Sequence, residues 1–247
     1  MYRARVCEQA ELYKDMVEAM IDRSKMNEEL NDEERNLLSV AFKNVVGAYR
    51  TSYRVLCGVD HKCHDDELRS EVNKSLKAKV AKKLDATCVK ADELLANNLI
   101  PSSPQPEGQV FYKKMRADYC RYRCETCEPA DKQKLGELAR QYYEEALTLS
   151  EKLAPANPIR LGLYLNYSVF FYEINDNSKK ACELAKTAFD QAISELDSQN
   201  EDSPNTATKD STLIMQLLRD NLTLWNAEIG ASEEIEAEVE NVAGIEQ

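Results

Sequence analysis

Apolar residues recur at intervals of three and four along most of this chain, the spacing that keeps one face of an α-helix buried. The pattern predicts a first helix from Tyr2 to about Met26. Asn31-Asp32-Glu33-Glu34 then supplies a capping residue and first-turn acids for a second helix, whose apolar face runs to about Val59. A charged break from His61 to Asp66 leads into another long helix that ends before Pro101. Pro101 to Gly108 reads as a loop, followed by helices near Val110 to Cys127 and Asp131 to Leu153. Pro155 and Pro158 punctuate the entry to Ile159 to Ile174, and two more helices follow, near Lys179 to Leu196 and Ser211 to Trp225. Asp197 to Asp210, rich in Ser, Asn, Asp and Thr, has the composition of an exposed loop.

Leu138-Ala139 with Tyr143 and Ala146 is echoed by Leu184-Ala185 with Phe189 and Ala192. Such spacing is common where paired helices stack, as in tetratricopeptide-like arrays, and short loops make consecutive helices antiparallel neighbours. The fold class expected is all-α, an antiparallel arrangement of helices. Only seven glycines and seven prolines in 247 residues agree with that.

Charge narrows the function. A formal net charge of -12 argues against nucleic acid as a partner, since phosphate backbones are held by clustered Lys and Arg, and it disfavours anionic membranes for the same reason. No apolar run is long enough to cross a bilayer; the best, Leu161 to Ile174, is short and interrupted by Asn166 and Ser168. After Arg219 no basic residue occurs, and the stretch 228–247, with seven glutamates, is expected to be an acidic flexible tail. Eight cysteines, most inside helix-like patterns and with no signal peptide ahead of them, fit reduced thiols in a soluble cytoplasmic protein.

Lys43, Arg50 and Arg54 stand at i, i+7 and i+11 on one stripe of the long second-region helix, with Gly47 leaving a gap between them. Taken alone the stripe reads equally as a solvated basic face. A second helix carries Lys114, Asp118 and Arg121 on one stripe with Tyr122 beside them. If the two stripes meet, Lys43, Arg50, Arg121 and Tyr122 form a cationic pocket whose guanidinium forks match phosphate oxygens, with Asp118 orienting an arginine. On the helix from Ile159, Leu165, Asn166, Val169 and Glu173 fall at helical spacing; near the end of the chain Leu213, Ile214, Leu217, Asn221 and Trp225 do so again. Each stripe mixes apolar residues with one asparagine, which an extended peptide backbone could satisfy, although capping or core hydrogen bonds would serve as well. Catalysis finds little support. The two histidines, His61 and His64, sit in the charged break, and no Ser/His/Asp or Cys/His arrangement is placed to activate a nucleophile. Cys120, Cys124 and Cys127 with Cys63-His64 lack the paired spacing of a zinc site, so neither a metal nor any other cofactor is implied.

Glu34 to Gly47, Pro158 to Gly162 with Leu165 to Phe170, and Asp210 to Trp225 resemble the signature segments of the 14-3-3 family, and the resemblance covers nearly the whole chain apart from the tail. It implies about nine antiparallel helices forming a concave amphipathic groove over 1–227. The implied function is that of a phosphoserine/phosphothreonine-dependent adaptor, not an enzyme, that binds phosphorylated segments of partner proteins. Lys43, Arg50, Arg121 and Tyr122 would hold the phosphate, and Asn166 and Asn221 the ligand backbone. Glu173 and Trp225 would flank the peptide, and Leu165, Val169, Leu213, Ile214 and Leu217 would form its apolar wall. The family dimerises, which implies a homodimer here, with a heterodimer with a paralogue as the alternative. The contact is expected from the 1–26 and 52–83 regions through Val6, Ala10, Leu56 and Leu76, with Ser52 nearby and an ion pair between Asp15 and Lys79. Leu12 and Lys83 stand where many members place a paired Arg and Glu, and Tyr49 replaces a basic residue beside Arg50. The runner-up is a tetratricopeptide-like scaffold for unmodified peptides.

Overall fold

The structure, a computed structural model, describes residues 1–60, 66–198 and 209–245, with side chains as far as Gly230. His61, Cys63, His64 and most of the expected loop before Asp210 lie outside these residues. Among the described residues there are nine α-helices and no strand: α1 (Tyr2–Gln9), α2 (Tyr13–Ser24), α3 (Asp32–Asp60), α4 (Glu67–Leu94), α5 (Pro106–Cys124), α6 (Pro129–Ser150), α7 (Pro158–Glu173), α8 (Ser178–Ser198) and α9 (Lys209–Ile245). A π-helical turn, Leu95–Leu99, extends α4. The protein is all-α, as its periodicity requires.

Three boundaries differ from the sequence pattern. The periodicity from Tyr2 to Met26 is broken into α1 and α2 at Glu11, whose φ is 55°. At about 3.6 residues per turn, Ala4 and Cys7 would point nearly opposite to Met16 and Met20 in one straight helix. All four are buried in the same cluster, so the chain has to turn between them. The Leu12 N–H closes that turn by donating to the Cys7 carbonyl at 2.8 Å. α5 starts four residues earlier than the pattern suggests, because Pro106 occupies a first-turn position where its missing N–H costs nothing. Beyond Trp225 the backbone of α9 continues to Ile245 through a run rich in Ala and Glu, both good helix formers, with no proline to stop it.

The chain divides into two compact units, residues 1–145 and 146–247, and the division falls within α6. In the first unit α3 packs between α2 and α4, and α4 packs on α5. The Asn73 amide donates to the Leu56 carbonyl and the Asp60 carboxylate, which ties the end of α3 to the start of α4 and makes the two antiparallel. Phe42, Leu38, Leu84, Leu95, Leu99 and Tyr112 form the centre of this core. In the second unit α8 presents Ala181, Ala185, Ala188 and Ala192 as one buried ladder. These small residues allow Leu161 and Tyr164 of α7 and Met215, Leu218 and Trp225 of α9 to pack against it. Arg160 near the start of α7 bonds Gln191 near the end of α8, so these helices also run antiparallel.

Leu84 is fully buried, whereas Leu68 is 71% exposed. Leu84→Ala should lower stability by about 3 kcal/mol through lost burial and a residual cavity, and Leu68→Ala by less than about 0.5 kcal/mol, both read from urea unfolding.

Candidate functional site

Burial of Leu38, Ala41, Phe42, Val45 and Val46 fixes which face of α3 is left for its cations. Lys43 and Arg50 consequently line an open cleft of about 650 Å³ in the first unit, together with Tyr13, Val40, Asn44, Gly47, Ala48 and Tyr122. A Cβ at Gly47 would meet nothing within 4 Å, so the cleft floor there is bare backbone. Opposite α3, α5 buries Met115 and Tyr119 in the core and thereby presents Tyr122.

Tyr122 organises the cations. The Arg50 guanidinium lies over its ring at 4.1 Å from the centroid and that of Arg121 at 4.7 Å, so one aromatic side chain carries both. Burial pushes the Tyr122 phenol up to about 12, Asp118 adding to the shift, so the hydroxyl keeps its proton at neutral pH. Behind each arginine stands a carboxylate, Asp118 on α5 and Glu125 at its C-terminal cap. Glu125 accepts from Arg50 Nε at 3.0 Å and from Nη2 at 2.6 Å, and its other oxygen accepts from Arg54 Nη2 at 3.3 Å. Asp118 accepts from Lys114 Nζ at 3.0 Å and from the Tyr143 hydroxyl at 2.6 Å. That hydroxyl in turn accepts from Arg121 Nε at 3.4 Å, while Arg121 Nη2 lies 3.9 Å from Asp118. Burial by itself would raise the Asp118 carboxyl, but the charges of Lys114 and Arg121 and the Tyr143 hydroxyl outweigh it and hold the group below the usual carboxylate range.

The four residues assigned to phosphate are thus brought together, with Arg121 buried against the Tyr122 ring and not on the cleft wall. Lys114 and Asp118 hold each other, so both act behind the cleft. Arg54 is exposed and shares Glu125 with Arg50. Two groups escaped the sequence reading. Glu125 continues the stripe of Lys114, Asp118 and Arg121 at the next helical step, a signal available in the sequence. Tyr143 comes from α6, and no local spacing links it to α5.

In the second unit Leu165, Asn166 and Val169 of α7 are half-buried and Glu173 is exposed. On α9, Leu213 and Leu217 are 61% and 43% exposed, and Leu224, not anticipated from sequence, joins them at 54%. Ile214 and Asn221 sit half-buried at the edge of this stripe. Trp225, grouped with them by spacing, is instead 2% exposed and stacks on Tyr172 at 5.1 Å between centroids. One further helical step turns it from the stripe toward the α7 and α8 core.

Of the residues assigned to a dimer contact, Val6, Ala10, Asp15, Ser52, Leu76 and Lys79 are exposed, and Leu56 is half-buried. Asp15 approaches Arg3 at 4.0 Å, and the Ser52 hydroxyl donates to the Ala48 carbonyl. The cysteines of α4 and α5 are free thiols: burial pushes Cys120 up to about 12 and Cys124 up to about 11, which leaves them protonated. No helix among the described residues is long and apolar enough to cross a membrane.

The depressed pKa of Asp118 has a sign that can be tested. Its contribution to stability is complete above the unfolded value of about 3.9 and is lost as pH falls through the lower folded value. Asp118→Asn should therefore destabilise the protein at pH 7 and flatten its acid limb, the two proteins converging in urea unfolding as pH drops below about 4.

The family model for the 14-3-3 protein matches residues 3–226. Over 240 residues the chain is 50% identical to the human 14-3-3 protein beta/alpha, covering 97% of this chain and 96% of that protein. It is 49% identical to the chicken protein of the same name over 240 residues, covering 97% of each, and 49% identical to the 14-3-3 protein zeta of Bombyx mori over 227 residues, covering 92% of this chain and 90% of that one. Overlapping matches of this length, together with an all-helical fold that gathers Lys43, Arg50, Arg121 and Tyr122, show that the chain belongs to the 14-3-3 family of phosphopeptide-binding adaptors, which are not enzymes.

Proposed function

We propose that Lys43, Arg50, Arg121 and Tyr122 of this adaptor bind the phosphate of a phosphoserine or phosphothreonine segment in the cleft beside α3. Cleft-facing donors without a partner are the observation that carries this reading. Neither the Lys43 ammonium nor the Tyr122 hydroxyl has a hydrogen-bond or ion-pair partner among the described residues, and Arg50 keeps the Nη1 edge of its guanidinium unengaged. Donors of this kind gain most from an anion that brings several oxygens and about -1.5 to -2 charges, and an unmodified hydroxyl would leave Lys43 without a counter-charge. Glu125 and Asp118 hold the arginines in place while leaving the cluster cationic.

Flanking sequence is read elsewhere. The exposed stripe of Leu213, Leu217 and Leu224 supplies an apolar surface for ligand side chains, and Asn166, Asn221 and Glu173 supply polar groups for ligand backbone. Taken alone that surface would also suit an unmodified peptide; the unpaired Lys43 ammonium and the free edge of Arg50 favour the phosphorylated one. The adaptor acts in the cytoplasm. Its 1–227 region carries the binding surface and the acidic stretch beyond it is a tail. Members of the family form dimers, and a homodimer of this chain is favoured by the exposed apolar side chains of Val6 on α1, Leu12 in the turn before α2, Val55 on α3 and Val72 and Leu76 on α4.

Lys43→Glu or Arg50→Ala should weaken a phosphoserine peptide at least about tenfold, roughly 1.4 kcal/mol, in calorimetric titration, with Lys43→Glu leaving the unfolding midpoint unchanged. Equal wild-type affinity for matched phosphorylated and plain peptides overturns the assignment. Sedimentation at micromolar concentration should give twice the chain mass of 28.1 kDa, and Val6→Asp with Leu76→Asp should return the monomer.

A further inference from the structure

We infer that Glu125 is the positioning residue that aims Arg50 at the bound phosphate, and that phosphate affinity depends on this carboxylate even though it brings negative charge to a site for anions. The inference rests on the phosphate reading of the cleft. It begins from the way the carboxylate holds the arginine. Glu125 takes Arg50 from the side, accepting from Nε with both oxygens at 3.0 Å and from Nη2 at 2.6 Å. A guanidinium held along that edge cannot rotate about its long axis, and the opposite edge, which carries Nη1, is left facing away from the carboxylate. The Tyr122 ring, 4.1 Å from Arg50 Cζ, fixes the plane of the group from a second direction. Arg50 lines the cleft and Glu125 does not, so the carboxylate grips from behind without occupying the space a ligand needs.

The pair bridges two helices far apart in sequence. Both side chains are largely buried, with 20% and 16% of their surfaces exposed, so solvent screens the contact far less than an ordinary surface ion pair. Arg54, at 62% exposure, shares the carboxylate only at 3.3 Å and adds little to its hold. A long arginine left without Glu125 would sample several rotamers, and ordering it would fall to the ligand at the moment of binding.

Removing Glu125 has two opposed effects. The cleft becomes more cationic, which favours every anion and fades with added salt. Arg50 loses its fixed direction, which disfavours the bidentate contact and persists in salt. The second effect governs here, because Lys43 and Arg121 already supply positive charge, whereas only Glu125 among the described residues accepts hydrogen bonds from the Arg50 fork.

The test is a double-mutant cycle on the full chain with a fluorescent phosphoserine peptide and its plain counterpart. The wild type must first prefer the phosphorylated peptide; failure there removes the phosphate reading itself. Given that preference, Glu125→Ala should weaken the phosphopeptide about tenfold at near-physiological salt and at least as much when salt is raised to screen the charge effect. Glu125→Asp should recover part of the loss. In an Arg50→Ala background, Glu125→Ala should change affinity by less than about twofold, since the group it aims is gone. The Arg50 Nε–H resonance, followed by ¹H–¹⁵N NMR, should lose its hydrogen-bonded shift in Glu125→Ala, and Glu125→Gln supplies a second variant of the same size should the alanine protein fold poorly. Unchanged or tighter phosphopeptide binding in a folded Glu125 variant overturns the inference in favour of a simple counter-charge. An undiminished loss in the Arg50→Ala background overturns it in favour of a general packing role.

Discussion

Like charges cannot be crowded together in a protein unless something holds them, and this chain solves that problem around a single tyrosine. Arg50 arrives from α3 and Arg121 from α5, and both guanidiniums rest on the Tyr122 ring. Each is tied back by a carboxylate on α5 or at its C-terminal cap, one helical step on either side of Arg121. The carboxylates compensate part of the repulsion and also fix direction, and of the two arginines it is Arg50 that lines the cleft. The groups that line the cleft are thus ordered by folding itself.

The rest of the first unit serves this arrangement. α3 is long enough to place Lys43, Arg50 and Arg54 on one stripe, and its opposite face packs on α2 and α4 through Leu38, Phe42, Val45 and Val46. α5 meets α4 through the same core. The Asp118 to Tyr143 hydrogen bond then joins α6 to the site, so a hydroxyl on a third helix sets the orientation of an arginine on the second. Buried networks of this kind succeed only when every member is satisfied, and here Lys114, Tyr143 and Arg121 share the two oxygens of Asp118.

The second unit obeys a different economy. An alanine ladder on α8 lets α7 and α9 approach closely, so the large side chains, Trp225 among them, are used for cohesion. What remains on the outer face of α9 is a stripe of leucines without a partner in this unit. Apolar side chains kept in solvent at helical spacing are unfavourable for the isolated chain, and such a stripe has the character of a surface that another chain could cover.

Much of this was written in the order of residues. Periodicity of three and four gave every helical stretch except the break between α1 and α2, because burial of one face leaves its imprint at each turn, and the offsets i, i+7 and i+11 put Lys43, Arg50 and Arg54 on one stripe without any knowledge of the fold. Resemblance to a known family, carried by Glu34 to Gly47 and Asp210 to Trp225, supplied the chemistry of that stripe. Other features depended on contacts between distant segments. The turn at Glu11 exists because two stretches with a continuous pattern must bury opposite faces in one core. Trp225 left its stripe because the α8 alanines opened space for an indole. Tyr143 and Glu125 became part of the site because α5 lies between α3 and α6, and no rule of local spacing states which helices will be neighbours. Sequence determines what each helix offers on each face; only the packed structure decides which faces meet, since that choice is made by the total burial of all helices together.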